Sequence, residues 1–218
     1  MNIRSSVIVA ATAMVASLAT IGSAAFAETF RLAHHHAVGG QVDQAAKKFA
    51  ELVKEYSNGD VTIQIFPAAQ LGQEREALDL VDQGAIDISI TSTAVLDKLY
   101  GPMAATSAPL IFKGWDHART LYKGEFGQGL IDGVRDNSDV EILTFIHLGF
   151  RDLMFTGDAP LTLAEMAGKR MRSPENFVWI RMFELWGARP TPVTWGEVYT
   201  AMQTGVAEGL DTPGAAAL

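Results

Sequence analysis

Residues 29–67 read TFRLAHHHAVGGQVDQAAKKFAELVKEYSNGDVTIQIFP, and their pattern decides the fold class. Thr29 to His34 alternates and predicts a short strand. Val42, Ala45, Ala46, Phe49, Val53 and Tyr56 then recur on one helical face, and Asn58-Gly59 supplies a left-handed stop. Val61, Ile63 and Ile65 alternate with Thr62, Gln64 and Phe66 as a second strand, closed by Pro67. Strand, helix, strand at this spacing is a βαβ unit, so an α/β fold with a largely parallel sheet is expected.

Further along, Ala77, Leu78 and Val81 form a helical stripe that stops at Gly84, and Ile86 to Ile90 reads as a third strand. A looser stretch follows around Gly101-Pro102 and Pro109. Helices are predicted over Trp115–Tyr122 and Phe126–Val134. Val140–Leu148 is the most apolar strand candidate, expected to be central and buried on both faces. Arg151–Phe155 and Lys169–Arg172 read as short strands. Phe177–Trp186 is apolar nearly all round and predicts a deeply packed helix, with Ser173 as N-cap, Pro174 at its first position and Gly187 past its end. Thr194 and Glu197 make a T-x-x-E capping box for a last helix that Gly205 ends. Glu208 to Asp211 looks like a strand edge and Thr212-Pro213 like a helix start. A helix begun there would be too short to be stable, so Leu218 reads as a truncation.

At the other end, Arg4 provides a basic start, Val7 to Ile21 an uncharged apolar run, and Ala25-Phe26-Ala27 an A-x-A cleavage site before Glu28. Residues 1–27 are therefore expected to be a signal peptide, and the mature protein to be periplasmic. The chain has no cysteine, which excludes disulfides, thiolate metal sites and a cysteine nucleophile. Lys and Arg number 17 against 25 Asp and Glu, a formal charge of −8, and an acidic balance argues against a nucleic-acid partner.

Enzyme motifs are missing: no P-loop, no G-x-S-x-G and no H-E-x-x-H. Gly127, Gly129 and Gly133 sit one residue off a dinucleotide fingerprint, in helical pattern with no strand before them. His34, His35 and His36 close the first strand, where alternation lets only His34 and His36 converge; a polar strand end lining a cleft is expected and no metal site. Arg172-Ser173-Pro174 puts a guanidinium at a strand end beside a helix N-terminus, a place that suits a carboxylate. Arg151 begins another strand. Ion-paired surface arginines would leave the same spacing. Trp195 and Tyr199 share a helix face, as core residues or as a stacking wall.

The stretch 189–209, RPTPVTWGEVYTAMQTGVAEG, closely resembles the signature of solute-binding proteins of tripartite ATP-independent periplasmic (TRAP) transporters, of the dicarboxylate-binding type. AQLGQER at 69–75, GAID at 84–87 and MAGKRMRSP at 166–174 resemble that family in the same order. The resemblance implies a two-lobe periplasmic-binding-protein-like fold, incomplete at the C-terminus, with a first lobe over 28–148 and a partial second lobe over 149–218. It implies that Arg172 grips a ligand carboxylate, that Arg151 is a second cleft arginine, and that His35, Gln73, Ser92 and Trp195 line the cleft. Glu175 and Thr212 depart from the residues that many members carry and fall where the rest of the ligand is touched. The implied function is capture of an organic acid, a dicarboxylate or a sugar acid, for delivery to membrane permease subunits, with no cofactor and no catalysis. An enzyme, or a receptor-partner sensor, on the same fold is the alternative.

Overall fold

The computed structural model describes residues 27–214, so the predicted signal peptide lies outside the described residues apart from Ala27. The first sheet has the order β2-β1-β3, all parallel, from β1 (Glu28–His34), β2 (Val61–Phe66) and β3 (Ile88–Ile90). Helices α1 (Gln41–Tyr56) and α2 (Glu74–Asp82) make the crossovers. Leu32 and Ala33 are buried in the central strand. The buried stripe of α1 is shorter than its apolar spacing predicts: Val42, Asp43 and Ala46 are buried, whereas Phe49 is partly exposed and Tyr56 lies at the surface. Asn58 and Gly59 both take positive φ, as the stop requires.

Helices α3 (Trp115–Lys123) and α4 (Glu125–Asn137) follow. In α4 a Cβ on Gly133 would fall 2.2 Å from Cε1 of Tyr100. That glycine of the near-fingerprint therefore serves close packing against an aromatic ring. Leu78, Met103, Leu130, Val134 and Val140 form the core beside these helices.

The second sheet has the order β4-β7-β5-β6, from β4 (Arg151–Phe155), β5 (Arg170–Ser173), β6 (Arg189–Pro192) and β7 (Gly209–Pro213). Only the β4–β7 pair is antiparallel. Helix α5 (Phe177–Leu185) joins β5 to β6, and α6 (Val198–Gln203) joins β6 to β7. Met171, Trp179, Met182 and Phe183 pack a second core, into which Ala94 of the first half inserts. No helix among the described residues is long and apolar enough to cross a membrane.

The structure corrects five expectations. Val140–Leu148 is not a strand: residues 141–150 make no regular pairing among the described residues. Val140, Ile142 and Phe145 lean on the first core, while Leu143 and Ile146 are exposed. An apolar run supplies burial on one face here, but a strand also needs neighbours for its backbone groups. Thr212-Pro213 starts no helix; both residues continue β7, which is buried along its whole length between β4 and β5. Sheet pairing overrides the local helix-start chemistry there. The N-cap of α5 is Asn176, whose Oδ1 accepts from Val178 N at 2.9 Å, and not Ser173, which stays in β5. Helix α5 buries one face only, with Phe177 and Leu185 exposed. The Thr194–Glu197 box is a side-chain pair, Oγ1 to Oε2 at 2.9 Å, heading a 3-10 turn before α6.

Candidate functional site

In a parallel α/β sheet, ligand clefts open at the carboxyl ends of the strands. Those ends of the two sheets meet here. From the first sheet come His35 and His36 after β1, the first turn of α2 with Gln73 and Glu74, and Thr91-Ser92 after β3. From the second come Arg172 and Ser173 ending β5, Asn176, and Trp195 after β6. Contacts cross between them. The His36 and Trp195 rings are 6.5 Å apart. Asn176 Nδ2 donates to Ala94 O at 2.7 Å and to Asp97 Oδ2 at 3.1 Å. Arg75 donates to Glu175 O at 2.7 Å. A Cβ on Gly196 would lie 2.7 Å from Nε2 of Gln73, so the two walls touch at this point.

Arg172 is 4% exposed. Its Nε donates to Val193 O at 2.9 Å and its guanidinium carbon lies 5.5 Å from the centre of the Trp195 ring. Among the described residues no carboxylate comes within salt-bridge distance of it. Burial first, and then the Arg151 charge, hold its pKa down to about 10, with Asp211 and Glu74 pulling the other way. A buried guanidinium in this state strongly favours an anion that can take two parallel hydrogen bonds.

Arg151 is placed differently. Its Nε donates to Asp211 Oδ2 at 2.6 Å and its Nη2 to Asp211 O at 2.6 Å, over the ring of Trp179. Trp179 Nε1 donates to the same Oδ2 at 2.8 Å. Its charge is thus answered inside the protein.

On the facing wall, Glu74 Oε1 accepts from Ser92 N and from Thr91 Oγ1, the latter at 3.2 Å. Burial would lift the Glu74 carboxyl, but the neighbouring His35 and the bonds from Ser92 and Thr91 carry it below the usual carboxylate range. Burial lowers both His35 and His36, the latter to about 4. Their rings lie 4.2 Å apart. The strand ends at His34, so His35 and His36 are the close pair, and not His34 and His36, which alternation had put together. His34 instead turns into the protein and meets the fully buried Asp43 at 3.3 Å. Lys47 and the Gly39 N–H, each at 2.7 Å, also bind Asp43.

Of the sequence-derived residues, Arg172, His35, Gln73, Ser92 and Trp195 come together around this cleft. His35 Nδ1 and Ser173 Oγ are buried there without a hydrogen-bond partner among the described residues. Arg151 reaches the neighbourhood through its pair with Asp211. Thr212 is buried in β7 opposite Asp152. Glu175 turns its half-exposed side chain toward Arg75, at the rim. Sequence reasoning missed Glu74, Asn176 and Asp211. Glu74 stood inside the AQLGQER stretch and Asp211 beside the noted Thr212, but burial and pairing, which single them out, have no sequence signal.

The family model for bacterial extracellular solute-binding protein family 7 matches residues 32–218. A solute-binding protein of Roseobacter denitrificans is 32% identical over 208 residues, covering 94% of this chain and 62% of that protein. The sialic acid-binding periplasmic protein of Vibrio cholerae is 28% identical, over 93% of this chain and 63% of its own length. Among solved structures, a TRAP periplasmic solute-binding protein from Sulfurospirillum deleyianum with bound succinate matches with a TM-score of 0.82 at 28% identity, over 87% of this chain and 61% of that one. The chain thus spans somewhat less than two thirds of the length of these relatives.

Proposed function

The chain belongs to bacterial extracellular solute-binding protein family 7, and from that premise we propose that it captures an organic acid in the cleft between its two sheets and delivers it to the membrane permease subunits of a TRAP transporter. The lobes facing the ligand are residues 28–148 and 149–218, and export through a cleaved signal peptide places the protein in the periplasm. The observation that carries this reading is Arg172: a guanidinium taken out of water, lying against an indole face, with no carboxylate among the described residues to answer it. A charge in that position costs stability unless a partner arrives. A ligand carboxylate supplies the partner, His35, Gln73, Ser92 and Trp195 line its surroundings, and Thr212 and Glu175 stand further out.

The protein binds and releases without altering its ligand.

Titration calorimetry with a panel of organic acids tests the reading. Arg172→Ala should weaken binding by more than about 30-fold, since truncating one member of a buried charge pair costs roughly 2–5 kcal/mol. Arg172→Lys should restore only part, because lysine keeps the charge and loses the bidentate fork. Arg151→Ala should cost less than Arg172→Ala. Wild-type affinity in Arg172→Ala would overturn the assignment.

A further inference from the structure

Resting on the cleft reading above, we infer that Asp43 is a positioning residue: from behind the cleft wall it fastens both ends of the turn that carries His35 and His36, and so sets how tightly a ligand is held.

Between the end of β1 at His34 and the start of α1 at Gln41 the chain turns through Gly39 and Gly40. Gly39 takes φ +81°. Paired glycines leave such a turn many conformations, so other contacts have to choose one. Gly40 is the N-cap of α1 and has no side chain with which to cap it.

Asp43, in the first turn of α1, makes those contacts. Its side chain and that of His34 are both 0% exposed. Its Oδ2 accepts from Gly39 N and from Lys47 Nζ, each at 2.7 Å, and its Oδ1 lies 3.3 Å from His34 Nε2. Lys47 first, and then Gly39, hold its carboxyl below the usual carboxylate range. An ionised carboxylate only accepts, so His34 Nε2 carries the hydrogen between them. His34 enters the turn and Gly39 closes it, and one buried anion grips both. Hydrogen bonds to an ionised group are the strong ones. From the other side, the carbonyls of His34 and His36 accept from Ala69 N and Ala68 N, each at 3.1 Å. The turn is thus clamped between α1 and the bend that follows β2.

What the clamp holds faces the ligand. The His35 and His36 rings lie 4.2 Å apart. The His36 ring is 6.5 Å from that of Trp195, over which the Arg172 guanidinium sits at 5.5 Å. Loosening the turn therefore moves both imidazoles against the wall that carries Arg172. A binding site keeps its geometry only as well as the groups behind it are held.

His34→Leu and His34→Gln in the full chain test this by calorimetric titration with succinate and with galactonate. Both substitutions remove the imidazole. The amide of His34→Gln still offers a hydrogen to Asp43, and His34→Leu offers none. His34→Leu should weaken whichever of the two acids binds the wild type by about tenfold, and His34→Gln by less than about threefold. Proton NMR of the ligand-free proteins, with the His35 and His36 ring signals assigned, adds a readout that a loss of stability alone would not move. Those signals should be displaced further in His34→Leu than in His34→Gln. Wild-type affinity in His34→Leu, equal losses in the two variants, or unequal losses with equal ring signals overturns the inference and leaves the organic-acid reading standing. If His34→Leu does not fold, Asp43→Asn replaces it, with the same loss and the same displacement expected, and wild-type affinity there overturns the inference equally. Failure of both to fold makes Asp43 a residue of the fold alone, which also overturns it. Binding of neither acid to the wild type counts against the organic-acid reading itself, and the role of Asp43 falls with it.

Discussion

At the start of β4, Arg151 lies against Asp211 at 2.6 Å, and its side chain keeps 35% of its exposure. At the end of β5, Arg172 has a backbone carbonyl and an indole face, is 4% exposed, and meets no carboxylate among the described residues. The two guanidiniums sense each other's charge, so they share one neighbourhood. The difference is one of solvation accounts. Arg151 keeps contact with water and has an internal counter-ion, so its charge is compatible with the fold by itself. Arg172 has lost water without gaining an ion. A group in that state has more to gain than Arg151 from an anion that comes from outside.

The comparison breaks first if binding fails to separate the two. Arg172→Ala should cost more than about 30-fold in affinity by calorimetry, and Arg151→Ala distinctly less. On the stability side the order reverses. Asp211→Ala removes the counter-ion of Arg151 and the acceptor of Trp179 Nε1, and should lower the unfolding free energy in urea by about 2–3 kcal/mol, the usual cost of breaking a buried pair reduced for the partial exposure of Arg151. Arg172→Met should leave the ligand-free protein as stable or raise its stability by about 1 kcal/mol, since it replaces an unanswered buried charge by an apolar chain. A ligand-free Arg172→Met protein destabilised as strongly as Asp211→Ala would show that Arg172 is structural after all.

The smallest effect concerns the facing wall. Burial, then His35, lower the His36 pKa to about 4, with Glu74 opposing. Between pH 6.5 and about 4 the unfolded chain binds a proton at this position that the folded chain refuses. Stability contributed by the neutral ring is therefore complete above pH 6.5 and is lost as pH falls toward 4, by an amount on the order of 1 kcal/mol once the partial exposure of the ring is allowed for. His36→Gln should flatten that part of the stability-versus-pH curve, measured by urea unfolding from pH 7.5 to pH 4. A curve of unchanged slope would remove His36 from the account.

Local periodicity carried much of the fold. The βαβ unit was legible because α1 has its stripe and stop, and β1 and β2 their alternation, within one short stretch. Arg172 was legible because a strand end next to a helix start is a local pattern. What escaped depends on neighbours distant in sequence. Val140–Leu148 has the composition of a central strand and pairs with nothing among the described residues. Thr212 and Pro213 look like a helix start and become strand because β4 and β5 lie on either side. Strand β6, with two prolines in four residues, carries no strand signal. Asp211 and Glu74 emerge as site residues only once Arg151, Trp179, Ser92 and Thr91 are seen around them.

Those two prolines bear on how copies of the chain avoid one another. Strand β6 forms one margin of the second sheet. Its inward N–H groups are used: Arg189 N donates to Lys169 O at 2.8 Å and Val193 N to Ser173 O at 3.1 Å. Alternate residues of a strand direct their backbone groups to opposite sides, so Pro190 and Pro192 occupy the outward positions, where a visiting strand would look for donors. Neither has a hydrogen to give. That margin offers acceptors without donors and is a poor template for strand addition, whether by a swapped segment or by a growing aggregate. This sheet thus carries its own terminator on the side next to Arg172.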